Sequence, residues 1–195
     1  MATIKKTTMK LLGYIMLLGI CLMSFALYGQ TTKKYVDAGF KLEKSKDYSG
    51  AIDQYTEAIA LNAENKHHLE AHYFRANCYR AKGNYSLART DYDAAVKLTN
   101  TVPNQNPRFL SDLHYNRAML RIQGYNTEGA IEDLDIVIKN SPADALSYAY
   151  RGRCKYVIDD KVGACADFAE AKRLKPSVIT EKFQKAYKKT SKKCK

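Results

Sequence analysis

The chain has 195 residues, is 46% hydrophobic and 27% charged, and carries a formal net charge of +12; this ordinary globular balance excludes wholesale disorder and leaves room for one or two domains. The charge is uneven, because residues 1–29 hold three Lys and no acid, residues 172–195 hold ten Lys or Arg against the single Glu181, and the stretch between carries nineteen bases and nineteen acids. A neutral body argues against a basic nucleic-acid-binding domain. Only the tail FQKAYKKTSKKCK has that character, either as a solvated end or as a contact for an anionic membrane or polymer.

At the N-terminus, Lys5, Lys6 and Lys10 precede the uncharged run LLGYIMLLGICLMSFAL, Leu11 to Leu27. A positive n-region followed by an apolar h-region is the layout of a secretory signal peptide, with small residues offering cleavage after Ala26 or after Gly29. The run is only just short of a spanning helix, so an uncleaved membrane anchor is the competing reading and a buried core helix the third. The first two export the remainder, to a periplasmic or extracellular location. A lipid-modified Cys21 is disfavoured by the bulky Ile20 before it. After export Cys78, Cys154, Cys165 and Cys194 remain, without CxxC spacing. That scatter fits buried free thiols, or a single bridge for which Cys154 with Cys165 is the expected pair, and fits no zinc ribbon.

Beyond residue 30 the chain repeats itself. KDYSGAIDQYTEAIAL, GNYSLARTDYDAAVKL, YNTEGAIEDLDIVIKN and DKVGACADFAEAKRLKP align on Ala51, Ala88, Ala130 and Ala164. Four residues later stand Tyr55, Tyr92, Leu134 and Phe168, and three beyond those Ala58, Ala95, Val137 and Ala171, which puts small, large and small side chains on one helix face. A turn with Gly, Asn or Asp precedes each such helix. Before the turn lies another helix with a small residue at Gly39, Ala76, Ala118 or Gly152, so every unit is a helical hairpin. The anchors are 37, 42 and 34 residues apart, and most of the excess falls in TNTVPNQNPRF, Thr99 to Phe109, an inserted loop. The third unit reads with an extra residue around Tyr125. After it all, PSVITEKFQKAYKK places Ile179, Phe183 and Tyr187 at intervals of four, predicting a capping helix from 177 to about 189.

This pattern resembles the tetratricopeptide repeat family over about residues 32–176, although the chain has no Trp and the Leu-Gly pair of the first helix is replaced. The resemblance implies an all-α fold, a right-handed superhelical array of about four hairpins, divided as a leader or anchor over 1–29, repeats over 30–176 and a cap with basic tail over 177–195. It also implies a concave groove, lined by the first helices, that holds a protein or peptide partner. By that likeness the groove comprises Val36, Asp37 and Phe40, then Tyr73, Phe74 and Asn77, then Tyr115, Asn116 and Met119, then Tyr150, Arg153 and Tyr156. The alternative is that several of these aromatics pack between units. A carboxylate clamp of the kind known in the family is not supported: Asn77 and Asn116 match its asparagines, but its cation slots hold Tyr73, Leu146 and Tyr150.

The chain lacks GxGxxG, GxxxxGK[ST], GxSxG and HExxH, so no catalytic residue, cofactor or metal is expected. In HHLEAH the spacing of His68 and His72 suits one helix face, but Leu69 sits where a metallopeptidase needs its Glu. One internal regularity remains. Arg75 and Asp91, Arg117 and Asp133, and Arg151 and Asp167 are each sixteen apart, while the first unit has Ala38 and Gln54, losing both charges together. Each pair straddles its turn, so a guanidinium should meet a carboxylate across the hairpin or in the neighbouring unit.

Overall fold

In the computed structural model residues 29–61, 65–103 and 105–191 are described, and the leader or anchor segment 11–27 lies outside them. Among the described residues there are nine α-helices and no strand: α1 (29–44), α2 (Tyr48–Ala60), α3 (Lys66–Ala81), α4 (Tyr85–Thr99), α5 (Pro107–Gln123), α6 (Thr127–Asn140), α7 (Ala145–Val157), α8 (Lys161–Leu174) and α9 (Glu181–Ser191). The chain forms two compact units that divide between Ala88 and Arg89, inside α4.

Every hairpin turn has one construction. Lys46, Gly83, Tyr125 and Asp159 have φ of 65°, 78°, 60° and 66°, the left-handed conformation that stops a helix. The following amide reaches back to close the stop: Asp47 N–H donates to Leu42 O at 2.9 Å, Asn84 to Tyr79 O at 2.8 Å, Asn126 to Arg121 O at 2.8 Å and Asp160 to Lys155 O at 2.9 Å. In three of the turns that same residue starts the next helix, because Asp47, Asn126 and Asp160 accept from the backbone N–H of Gly50, Gly129 and Gly163. Each left-handed residue lies five positions before its anchor alanine. The extra residue expected around Tyr125 is therefore absent; Tyr125 is the third unit's left-handed stop, and its poor fit to that role is what disturbs the alignment.

The first unit closes on Val36, Ala51, Tyr55, Ala58, Ala71 and Cys78, all buried. A Cβ at Gly39 would come within 2.6 Å of the Tyr55 ring, so glycine there lets the ring lie against the α1 backbone. Tyr55 reaches past it to donate to Glu43 at 2.9 Å. In the second unit α5 packs on α6, α6 on α7 and α7 on α8. Their shared core holds Ala118, Ala130, Leu134, Ala149, Ala164, Phe168 and Ala171.

The C-terminal cap is present, with different ends from those expected. Pro176–Val178 forms a single 3-10 turn, and the helix begins only at Glu181. Val178, Phe183 and Ala186 are buried in the core of the second unit, whereas Ile179 is only partly buried against it. The cysteine pairing is a correction: Cys154 is a buried free thiol, as is Cys78, while Cys165 is disulfide-bonded, so the expected Cys154–Cys165 bridge does not form. Cys154 and Cys165 sit on different helices, and Cys154 faces the apolar core of α7 and α8 with Phe168 and Ala164.

Phe183 is 1% exposed and its ring centroid lies 5.1 Å from that of Tyr150. Phe183→Ala should cost about 3–5 kcal/mol in denaturant unfolding, whereas Lys185→Ala on the solvent face of the same helix should stay within about 0.5 kcal/mol.

Candidate functional site

Two of the three Arg and Asp intervals fall within the second unit, and both are ion pairs. Asp133 has no exposed surface. Its carboxylate accepts from Arg117 Nη2 at 2.6 Å and Nε at 3.0 Å, lies 2.7 Å from His114 Nδ1, and pairs with Arg121 Nη1 at 3.0 Å. Asp167 is held likewise by Arg151, through Nη2 at 2.6 Å and Nε at 2.9 Å, with Lys155 Nζ at 2.9 Å. Each arginine also reaches the preceding hairpin: Arg117 Nη1 donates to Asp93 at 3.1 Å and Arg151 Nη1 to Asp135 at 2.5 Å. One guanidinium thus joins two hairpins of the second unit, using both edges of its fork.

Burial opposes the charge on Asp133, but the His114 and Arg117 hydrogen bonds and the charges of Arg117 and Arg121 outweigh it and hold its pKa below the ordinary 3.8. Burial likewise opposes the Arg117 charge, and Asp133 and Asp93 more than offset it. In the first unit Arg75 donates to Thr56 Oγ1 at 2.9 Å and lies 5.8 Å over the Tyr79 ring. The sequence reading missed Arg121 and Lys155. Both stand four residues after the paired arginine, on the same helix face, and that interval was the available signal.

The predicted groove residues divide by burial. Val36, Tyr73 and Tyr150 are buried at 5%, 9% and 8% exposure, so they pack rather than line. Tyr150 is enclosed by Tyr115, centroids 6.1 Å apart, by Phe183, and by Lys182, whose Nζ donates to the Tyr150 hydroxyl at 2.6 Å and lies 4.6 Å over its ring. Tyr73 meets Phe74 edge-on at 5.3 Å, and Phe74 lies 5.7 Å from Phe40, itself 41% exposed under Lys44. Asn77, Tyr115, Asn116, Met119, Arg153 and Tyr156 are half-buried, and Asp37 is exposed in an ion pair with Lys33. Within the second unit Tyr115 borders a cavity of about 570 Å³ with Arg108, Ser111, Asp112, Asn140 and Leu146. Of the three histidines in HHLEAH, His67 bonds Glu70 at 2.9 Å and the His68 and His72 rings meet edge-on at 5.2 Å.

Hairpins of this size, packed side by side through small residues at fixed spacing, define a helical repeat protein. The sequence profile of the tetratricopeptide repeat family matches residues 42–103. The human mitochondrial import receptor subunit TOM70 is 26% identical over 162 residues, covering 83% of this chain and 26% of that one. The chain spans about a quarter of the length of the curated relatives it matches. Among solved structures, YrrB, a TPR protein with an unusual peptide-binding site, superimposes with a TM-score of 0.69 at 18% identity, over 83% of this chain and 77% of its own. The MamA protein gives 0.64 at 19% identity, over 84% of this chain and 88% of its own. The fold is that of a tetratricopeptide repeat array.

Arg117→Ala should cost about 3 kcal/mol, because it strands the fully buried Asp133. Arg117→Leu combined with Asp133→Leu should recover part of the summed single losses, the remainder reflecting Arg121 and His114, which lose the same carboxylate. Strict additivity in urea titrations would show that the charges do not interact. The depressed Asp133 contributes stability that is present above its unfolded pKa and lost as pH falls through the folded value. Unfolding stability measured from pH 5 downward should therefore drop below pH 3.8, and Asp133→Asn should flatten that acid limb.

Proposed function

We propose that the chain is an exported interaction module that binds a protein or peptide segment along the first helices of its hairpins. The observation that carries this reading is the division of labour on α5 and α7. Arg117 and Arg151 are committed to buried carboxylates, while Tyr115, Asn116, Met119 and Arg153 keep partly open surface and Tyr115 borders a cavity. An aromatic and amide surface of this kind suits apolar anchors with a few backbone hydrogen bonds. The peptide-binding site of YrrB and the receptor role of TOM70 support a binding rather than a catalytic task. The uncharged run 11–27 and the disulfide at Cys165 both support export, since disulfides persist in oxidising compartments.

A second reading has one observation in its favour. Lys185, Lys188 and Lys189 are exposed on α9, away from its buried Phe183 and Ala186, and such a face attracts anionic membrane or polymer surfaces. Salt separates the two, because a partner held by lysines alone is released once charges are screened.

In a pull-down from the envelope fraction with the mature chain as bait, Tyr115→Ala with Asn116→Ala should weaken partner capture at least about tenfold, a loss of one good anchor, with little change in helicity. Capture unaltered by the pair, or abolished by high salt alone, would move the binding surface away from α5.

A further inference from the structure

Two kinds of contact hold the cap to the second unit. Val178, Phe183 and Ala186 are buried in its core and seat the helix. Lys182, one residue before Phe183, is exposed, yet its Nζ donates to the Tyr150 hydroxyl at 2.6 Å and lies 4.6 Å from the centre of the same ring. Arg117, Arg121, Arg151 and Lys155 are paired with buried carboxylates, whereas among the described residues Lys182 meets no carboxylate and directs its charge at this phenol. Tyr150 stands edge-on to two rings, Phe183 at 5.1 Å and 83° and Tyr115 at 6.1 Å and 74°. Tyr115 in turn borders the cavity of about 570 Å³ between α5, α6 and α7. Three contacts therefore run in series from α9 through α7 to α5.

We propose that Lys182 is a positioning residue for the partner surface on α5: it fixes the Tyr150 ring, and that ring fixes Tyr115 at the wall of the cavity. The inference rests on the reading that a partner binds at Tyr115. Stability is not what this contact chiefly supplies, because an exposed ammonium on a hydroxyl and a ring face contributes little to folding, and Phe183 already seats the helix. It supplies orientation. The hydrogen bond holds the far end of the phenol, and the ammonium over its face resists tilt. Once the ammonium is gone, the hydroxyl of a residue 8% exposed turns toward water, since burying it unbonded costs more than tilting the ring. Edge-to-face pairs depend on angle, so a tilted Tyr150 presents a different edge to Tyr115, and the half-buried Tyr115 shifts or loosens with it. The cap thus shapes a surface that lies two helices away.

The test places 3-fluorotyrosine at position 115 of the full chain and follows its fluorine resonance by NMR. Lys182→Met keeps the aliphatic stem and removes the ammonium; it should shift and broaden the Tyr115 resonance while Tm stays within about 4 °C of the parent. Lys182→Arg, which keeps a donor and a cation, should retain the parent resonance, and Lys185→Met on the solvent face of α9 should leave it untouched. Tyr150→Phe keeps the ring and removes the hydroxyl, so it should reproduce the Lys182→Met shift, and the double variant should add nothing further. In the envelope pull-down Lys182→Met should weaken capture severalfold in the parent and have no further effect on top of Tyr115→Ala. A resonance unmoved by Lys182→Met and by Tyr150→Phe, one moved equally by Lys185→Met, or a loss of capture that persists in the Tyr115→Ala background would each overturn the assignment. Because the resonance is read with no partner present, its failure is distinct from a failure of α5 to bind one.

Discussion

Each hairpin closes because its two helices carry small side chains at the same two heights. Gly39, Ala76, Ala118 and Gly152 lie twelve residues before Ala51, Ala88, Ala130 and Ala164. The closeness this permits is visible at Gly152, where a Cβ would meet Asp167 Cβ at 3.2 Å and Phe168 Cδ1 at 3.3 Å. Helices brought this near leave no room for water between them, so whatever the large residues of the second helix present must find its partner in the same hairpin or the next. The large side chain four residues after each alanine, Tyr55, Tyr92, Leu134 or Phe168, fills that space. Asp133 and Asp167, one position before Leu134 and Phe168, are drawn in with them, and Arg117 and Arg151 of the first helices are the answer to those carboxylates.

A buried ion pair is by itself weak evidence of stability, since desolvation offsets most of the attraction. Its value here lies in register. Asp133 is met by four donors from one face of α5, at heights set by residues 114, 117 and 121, and a shift of α6 by one residue would strand it. The second edge of each guanidinium carries the same constraint to the preceding hairpin. From Arg117 that partner lies twenty-four residues back, at Asp93, and from Arg151 sixteen back, at Asp135. The eight-residue difference is taken up by the inserted stretch around Val102 and Pro103, so the insertion lengthens the chain without disturbing the pairing.

That periodicity explains what the sequence made legible. Ala, large and Ala at offsets of four and seven can serve only a helix packed on one face, and the sixteen-residue interval is meaningful because both ends are counted from one turn. Tyr125 was misread because a tyrosine at φ 60° lacks the glycine that usually marks the position. Tyr150 looked like a groove residue because its slot, fourteen residues before the anchor alanine, matches Asn116 and Phe74. Its burial comes from Phe183 and Lys182, more than thirty residues away on a cap whose start was itself displaced from 177 to Glu181. From the sequence, buried free thiols and a single Cys154–Cys165 bridge both stand open, the two cysteines being eleven residues apart across a turn. Proximity in the chain says nothing about which side of each helix faces the core, and Cys154 faces inward.

The same accounting bears on how a partner would be chosen. In the second unit Arg117, Arg121, Arg151 and Lys155 are all committed to internal carboxylates. A ligand on α5 and α7, as proposed, would therefore meet Arg153 and the cavity-lining Arg108 rather than these committed cations, next to rings already partly packed. Charge available for attraction at a distance resides on α9, at Lys185, Lys188 and Lys189. Those lysines would speed the approach of an acidic partner and lose that effect with added salt, within a screening length of about 8 Å at physiological ionic strength. The contacts at Tyr115 and Met119 are apolar and short-ranged, so they would set how long the partner stays. Under the proposed function, association and residence would rest on different elements, and only the second would depend on the repeat pattern.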